Sequence, residues 1–80
     1  MKTYTQKELD DILKLHMKWL NKETDGIRAN LNNAALSGAD LSGADLSDAW
    51  LNDTDLSSVD LRGANLRNAW LENTVLSGAD

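Results

Sequence analysis

The chain has 80 residues, a net charge of −5 and no cysteine. At this length it is one domain at most, with too little interior for an ordinary globular core to be more than marginal, and neither a disulfide framework nor a thiolate metal site can reinforce it. The charge excess lies wholly in residues 27–80, which carry three Arg against eight acids, whereas residues 1–26 balance five Lys against five acids; an acidic surface repels phosphates, which argues against direct nucleic-acid binding and leaves a basic partner or solubility as what the charge serves.

Residues 5–20 read as a helix. Thr5 followed three places later by Glu8 forms a capping box, and apolar positions then fall at Leu9, Ile12, Leu13, His16 and Leu20, with Leu15, Met17 and Trp19 widening the stripe. One broad face is therefore expected to be buried against the rest of the chain. Asp10, Asp11, Lys14 and Lys18 interrupt the same stretch, so it fits neither a signal-peptide core nor a membrane span. A cytoplasmic protein without membrane contact is expected, and the glycosylation acceptor spelled by Asn52-Asp53-Thr54 is read as chance. Residues 21–26 are a polar break in which Asp25-Gly26 forms the turn that ends the helix. The break divides the chain into a helical segment, 1–26, and a second segment, 27–80.

From Leu31 a leucine recurs at every fifth residue through Leu36, Leu41, Leu46, Leu51, Leu56, Leu61, Leu66 and Leu71 to Leu76. Two places before each leucine stands a small residue: Ala in most units, with Thr54, Val59 and Thr74 as variants. A period of five fits neither a lone helix nor a lone strand. It fits a three-residue extended piece, whose first and third side chains share a face, followed by a two-residue corner. The small residue and the leucine then point inward, and the turn formers Asn33, Gly38, Gly43, Asp48, Asp53, Ser58, Gly63, Asn68, Asn73 and Gly78 fall at the corner. Substitutions recur at twenty residues, in Trp50 with Trp70, Thr54 with Thr74, and Ser37 with Ser57 and Ser77. Four sides per coil is the reading, and about two and a half coils are present.

The units "ADLSG", "ANLRN" and "ANLNN" resemble the consensus of the pentapeptide repeat proteins, Ala, then Asp or Asn, then Leu, then two polar residues. The resemblance covers residues 29–80. It implies an all-β solenoid, a right-handed quadrilateral parallel β-helix, and the leader resembles helices that precede such repeats, so one N-terminal α-helix is expected to cap it. Ala35, Trp50, Trp70 and Val75 depart from the consensus by placing apolar groups at an outward position.

Few side chains present chemistry. His16 is the single histidine and has no Ser, Lys or acid arranged around it in sequence, so packing between helix and coil is favoured over a role as general base. Trp50 and Trp70 are expected one coil apart, about 4.8 Å on one outer face, as an aromatic ladder or a contact surface for a partner. Asp40, Asp60 and Asp80 form a column of carboxylates, with Asp45 and Asp55 on adjoining sides. Local hydrogen bonds to corner amides are expected of them in preference to a calcium site, because outward side chains on a flat face diverge. No catalytic residue, cofactor or metal is predicted, and Trp50, Trp70, Asp40 and Asp60 are the positions at which a partner would be met.

The expected function is a non-catalytic structural or protein-interaction module. The resemblance implies an alternative, since some members of the family are similar to B-form DNA in size and charge and bind type II topoisomerases such as DNA gyrase. Against it stands length: two and a half coils at about 4.8 Å each reach about 12 Å, whereas one duplex turn is about 34 Å. The last coil, 61–80, is expected to leave backbone groups and leucine edges open. Two such ends meeting about a twofold axis predict a homodimer, because the helix blocks head-to-tail stacking.

Overall fold

The computed structural model describes residues 1–80. In chain order it contains β1 (Lys2–Thr3), α1 (Gln6–Leu20) and β2 (Ala34–Ala35), after which a two-residue turn recurs in every five residues. Single-residue parallel β pairings tie the repeat together, joining Asn30 to Trp50, Ala35 to Asp55, Asp40 to Asp60, Asp45 to Asn65, Trp50 to Trp70 and Asp55 to Val75. Every one of these partners lies twenty residues away. The Leu31 amide donates to the Trp50 carbonyl at 2.8 Å, and the Trp50 amide donates back to Ala29 at 3.0 Å. The same two-way exchange recurs along the repeat, and the segment is a β-helix solenoid.

Every corner except the one before Thr54 closes by a hydrogen bond from the small residue's amide to the carbonyl of the preceding leucine, as in Ala39 to Leu36 at 2.9 Å. Such a turn needs a left-handed residue at its third position. Asn33, Asp48, Asp53, Ser58, Asn68 and Asn73 take φ values of 56–62° there. Asn and Asp tolerate that conformation through local hydrogen bonding, whereas Ser58 holds it without that advantage.

The interior is a stack of leucines. Leu31, Leu41, Leu46, Leu51 and Leu56 are at most 1% exposed, with Ala29, Ala34, Ala49, Thr54 and Val59 buried beside them. Thr54 fits among apolar neighbours because its hydroxyl donates to the Leu31 carbonyl at 2.7 Å, and Thr74 repeats the bond to Leu51 at 2.8 Å. Leu61, Leu66 and Leu71 are half-buried, and Leu76 is 44% exposed.

The N-terminal segment lies over the first coil. The capping box is formed, with the Glu8 amide donating to Thr5 Oγ1 at 3.1 Å and the Thr5 amide donating to Glu8 Oε1 at 2.8 Å. The buried face of α1 follows its apolar pattern except at one position: Leu9 and His16 are buried, Ile12, Leu13, Leu15, Trp19 and Leu20 partly so, and Met17 is exposed. Strand β1 escapes the sequence pattern altogether. It pairs in parallel with β2, Lys2 with Ala34 and Thr3 with Ala35. Two polar side chains serve the other edges. The Gln6 side-chain amide both donates to the Asp40 carbonyl at 2.8 Å and accepts from the Asp40 amide at 3.1 Å. His16 Nδ1 accepts the Ala29 amide at 2.9 Å, which places the ring proton on Nε2, bonded to the Ser47 carbonyl at 2.8 Å.

The turn at the end of α1 differs from the expected one. The helix stops at Leu20 with Asn21 as its C-cap and Lys22 left-handed at φ 61°, several residues before Gly26. Gly26 has another role, because the returning chain passes so close to the last turn of α1 that any Cβ would strike the backbone of Lys18 and Trp19.

Burial dictates the tolerance of the repeat. Leu56→Ala is expected to cost about 2–5 kcal/mol through its cavity, and Leu76→Ala, in the same column, less than half as much. Ser57→Ala should stay within about 0.5 kcal/mol. Chemical denaturation of the three variants checks the order, and equal losses for Leu56 and Ser57 would overturn the inward and outward assignment.

Candidate interaction surface

The carboxylates of the outer faces are turned along their own backbone. Asp40 Oδ1 accepts the Ser42 amide at 2.9 Å and the Ser42 hydroxyl at 2.6 Å, and Asp45 does the same with Ser47 at 3.0 and 2.6 Å. Asp55 accepts the Ser57 amide, and Asn30 and Asn65 make the equivalent bond. These bonds favour the charged form, so Asp40, Asp45 and Asp55 sit below the usual carboxylate range, chiefly through the serine hydrogen bond. Asp60 goes further, because besides the Arg62 amide it receives the guanidinium through Nε at 3.0 Å and through the terminal nitrogen at 2.8 Å. The guanidinium holds it at about 2. Arg62 also feels the carboxylates of Asp80 and Asp40. Asp40 and Asp60 thus stand one coil apart, with Arg62 paired to Asp60, and no three His, Asp or Glu side chains gather where an ion could be held.

The side bearing the tryptophans is built differently. Trp50 and Trp70 stand where Asp or Asn would otherwise hold the amide two residues on. An asparagine of the preceding coil replaces that bond, with Asn32 Oδ1 accepting the Asn52 amide at 2.8 Å and Asn52 Oδ1 accepting the Glu72 amide at 2.9 Å. The rings lie 5.8 Å apart and are tilted by 42°, a looser arrangement than a flat ladder at the coil spacing. Arg28 is the cause. Its guanidinium carbon sits 4.6 Å from the Trp50 ring centroid, 5.5 Å from Trp70 and 5.1 Å from Trp19, while Nε donates to the Asp48 carbonyl at 2.7 Å. Trp19 in turn stacks on His16, with centroids 5.6 Å apart. A cation among three aromatic faces is held by the ring quadrupoles. Trp50 is half-buried beneath this cluster and its indole N–H has no acceptor, whereas Trp70 is 51% exposed. The two tryptophans are therefore unequal as contact residues. Sequence reasoning passed over Arg28; its one sequence signal is that it stands twenty residues before Asp48.

The family model for pentapeptide repeats matches residues 22–43 and 39–78, in eight copies. The chain belongs to the pentapeptide repeat family. Among solved structures it is similar to a pentapeptide repeat protein from the Arabidopsis thaliana thylakoid lumen, with 34% sequence identity, coverage of 66% of this chain and 44% of that one, and a TM-score of 0.38. The chain thus spans less than half the length of that protein. No curated protein matches it.

The depressed carboxylates set the response to acid. In the folded chain Asp60 holds its proton at about 2 against an ordinary 3.8, so on acidification the unfolded chain takes up protons first, and the stabilisation present above that ordinary value is lost as pH falls through the interval. Melting temperature should be level near neutrality and drop between pH 4 and pH 2, about these two values. Asp60→Asn keeps an acceptor for the Arg62 amide but not the charge, and its drop should be shallower; an equally steep drop, followed by circular dichroism, would remove Asp60 as a contributor.

Proposed function

We propose that the chain is a non-catalytic structural or protein-interaction module: a right-handed, four-sided β-helix of about two and a half coils, capped by α1, whose outer faces are its working surface in a cytoplasmic setting. The observation that carries this reading is the engagement of both His16 nitrogens by backbone groups. The chain's one imidazole supports the coil, so it has no free nitrogen with which to take a proton from a substrate. The surface best suited to contact is the tryptophan side, where an asparagine relay frees the outward positions from holding the corner. Asp40 and Asp60 are secondary contact positions, since their carboxylates are engaged locally.

A second copy is the proposed partner at the last coil, supported by the partial exposure of Leu61, Leu66, Leu71 and Leu76. The alternative of an acidic duplex mimic draws little from this geometry. Arg62 pairs with Asp60 at 2.8 Å and feels the carboxylates of Asp80 and Asp40, so the acidic column carries a cation of its own.

Two experiments test the proposal. Deleting residues 1–22 removes the partners of Asn33, Asp40, Ser47 and Ala29, and the remainder should aggregate or lose its β circular dichroism; a soluble, cooperatively melting remainder would show that α1 is not a cap. In the second, immobilised chain is compared with forms carrying alanine at Trp70, or at both Asp40 and Asp60, in quantitative capture of cellular proteins. Partners retained by the unaltered chain and lost by one of the folded variants are expected. Identical retention by all three would overturn these outer faces as contact surfaces.

A further inference from the structure

The N-terminal segment serves three sides of the first coil and leaves the fourth open. β1 pairs with the side at Ala35, the Gln6 side chain exchanges two bonds with Asp40, and His16 reaches the Ser47 carbonyl. On the fourth side His16 takes only the Ala29 amide. The Ala29 carbonyl accepts the Trp50 amide at 3.0 Å and the Leu31 amide donates to the Trp50 carbonyl at 2.8 Å, both toward the second coil. Successive groups of an extended piece point to opposite edges, so the N–H and C=O of Asn30 point away from that coil. Neither is bonded within the chain, and Asn30 is exposed. Asp45 also keeps both groups unbonded, but it is half-buried, with His16 on the carbonyl two residues on.

A groove of about 200 Å³ separates this edge from α1, lined by Ile12, Leu15 and Ile27 together with residues 28–30. An apolar cavity of about 150 Å³ accepts a benzene-sized group, so the space suits one aliphatic side chain. Ile27 is 60% exposed at its wall. The neighbouring charges are matched among themselves: Lys7 with Asp11, Lys18 with Asp25, and the Glu8 carboxylate on the Thr5 amide. An uncharged occupant is what such surroundings favour. The kind of occupant is shown past the corner at Asn33, where the same edge is covered by an extended chain in parallel, with the Lys2 amide on the Asn33 carbonyl.

We infer that the edge at Asn30 docks an extended, uncharged segment of a partner protein, which continues the coil in parallel as β1 does on the next side. In that register the residue facing Asn30 points outward, the carbonyl before it accepts the Asn30 amide, and the amide after it donates to the Asn30 carbonyl. The residue before it places an aliphatic side chain in the groove against Ile12 and Leu15. This adds to the interaction-module reading a second surface, apart from the tryptophan side, and names the chemistry of what binds there.

The test titrates the full chain, labelled with nitrogen-15, with a capped tripeptide of leucine, threonine and alanine. Two counterparts carry glycine in place of leucine, or a methyl group on the alanine amide nitrogen. The backbone N–H signal of Asn30 should move, and its exchange with water should slow. The leucine peptide should bind about tenfold more tightly than the glycine one, as burial of an aliphatic side chain implies. Methylation should weaken it about fivefold, the effect of one hydrogen bond. Asn30→Pro removes the edge donor without breaking a backbone bond of the chain, and should bind as weakly as the methylated peptide does, read from the Ile27 amide. Asn30→Ala, which loses only the side-chain bond to Asn32, should bind like the unaltered chain, and circular dichroism checks both folds. Ile27→Asp should abolish the preference for leucine over glycine. Equal binding of those two peptides, undiminished binding of the methylated one, or undiminished binding by Asn30→Pro would overturn the inference. Shifts at Asn30 that follow chain concentration without peptide would overturn it too, by giving the edge to a second copy. The tryptophan side takes no part in any of these results, so the capture experiment judges the module reading separately.

Discussion

Every level of this molecule depends on the parallel backbone pairing of residues twenty apart. Each extended piece is too short to be a strand in its own right, and an isolated three-residue strand has no stability in water. Stacked in register, each piece exchanges amides and carbonyls with the coils on either side, as Trp50 does with Ala29 above and Leu51 with Trp70 below. The leucine interior follows from the same register, since residues twenty apart project the same way and Leu31, Leu51 and Leu71 fall in one column. Stability is thus a nearest-neighbour property along one axis, and each coil is only as secure as the coils beside it.

That constraint leaves two kinds of exposed backbone to satisfy, corners and edges. At the corners the outward Asp or Asn accepts the amide two residues on, so half of the eight acids in residues 27–80 are structural. Asp40, Asp45, Asp55 and Asp60 all do so, and their lowered pKa values are the electrostatic trace of that work. At the edge of the first coil the N-terminal segment provides what a preceding coil would. A two-residue strand, a glutamine side chain that imitates a peptide group, and a histidine with both nitrogens engaged each meet a different side. A helix cannot extend a β ladder with its own backbone, whose groups are already paired, so side chains from α1 must reach down to the coil.

The tryptophan side shows how the scaffold admits a departure. Replacing the corner acceptor by an indole would leave the Asn52 and Glu72 amides without partners, and the asparagines of the preceding coils restore them. The outward position is thereby released from backbone duty. Arg28 then joins the end of α1 to the coils through Trp19 and Trp50. The same cluster that fastens the helix leaves Trp70 half exposed.

Much of this is legible in the sequence, because a repeat writes its geometry into its period. The leucine at every fifth residue and the small residue two places before it determined which side chains point inward. The turn formers mark the corners directly: Asn33, Asp48, Asp53, Ser58, Asn68 and Asn73 are all left-handed. Thr5 and Glu8 fixed where α1 begins, and Trp50 with Trp70 indicated the pairing at twenty. The parts that fell outside the pattern are those that occur once. Lys2 and Thr3 carry no strand signal and become a strand because Ala34 and Ala35 present an open edge. Gly26 looks like a turn residue but is required by the close passage of the chain over Trp19. Gln6, His16 and Arg28 are ordinary letters in a sequence, and their partners lie 34, 31 and 20 residues away. Local period determines local geometry, whereas contacts made once between a helix and a coil depend on how two bodies dock, and only the tertiary structure decides that.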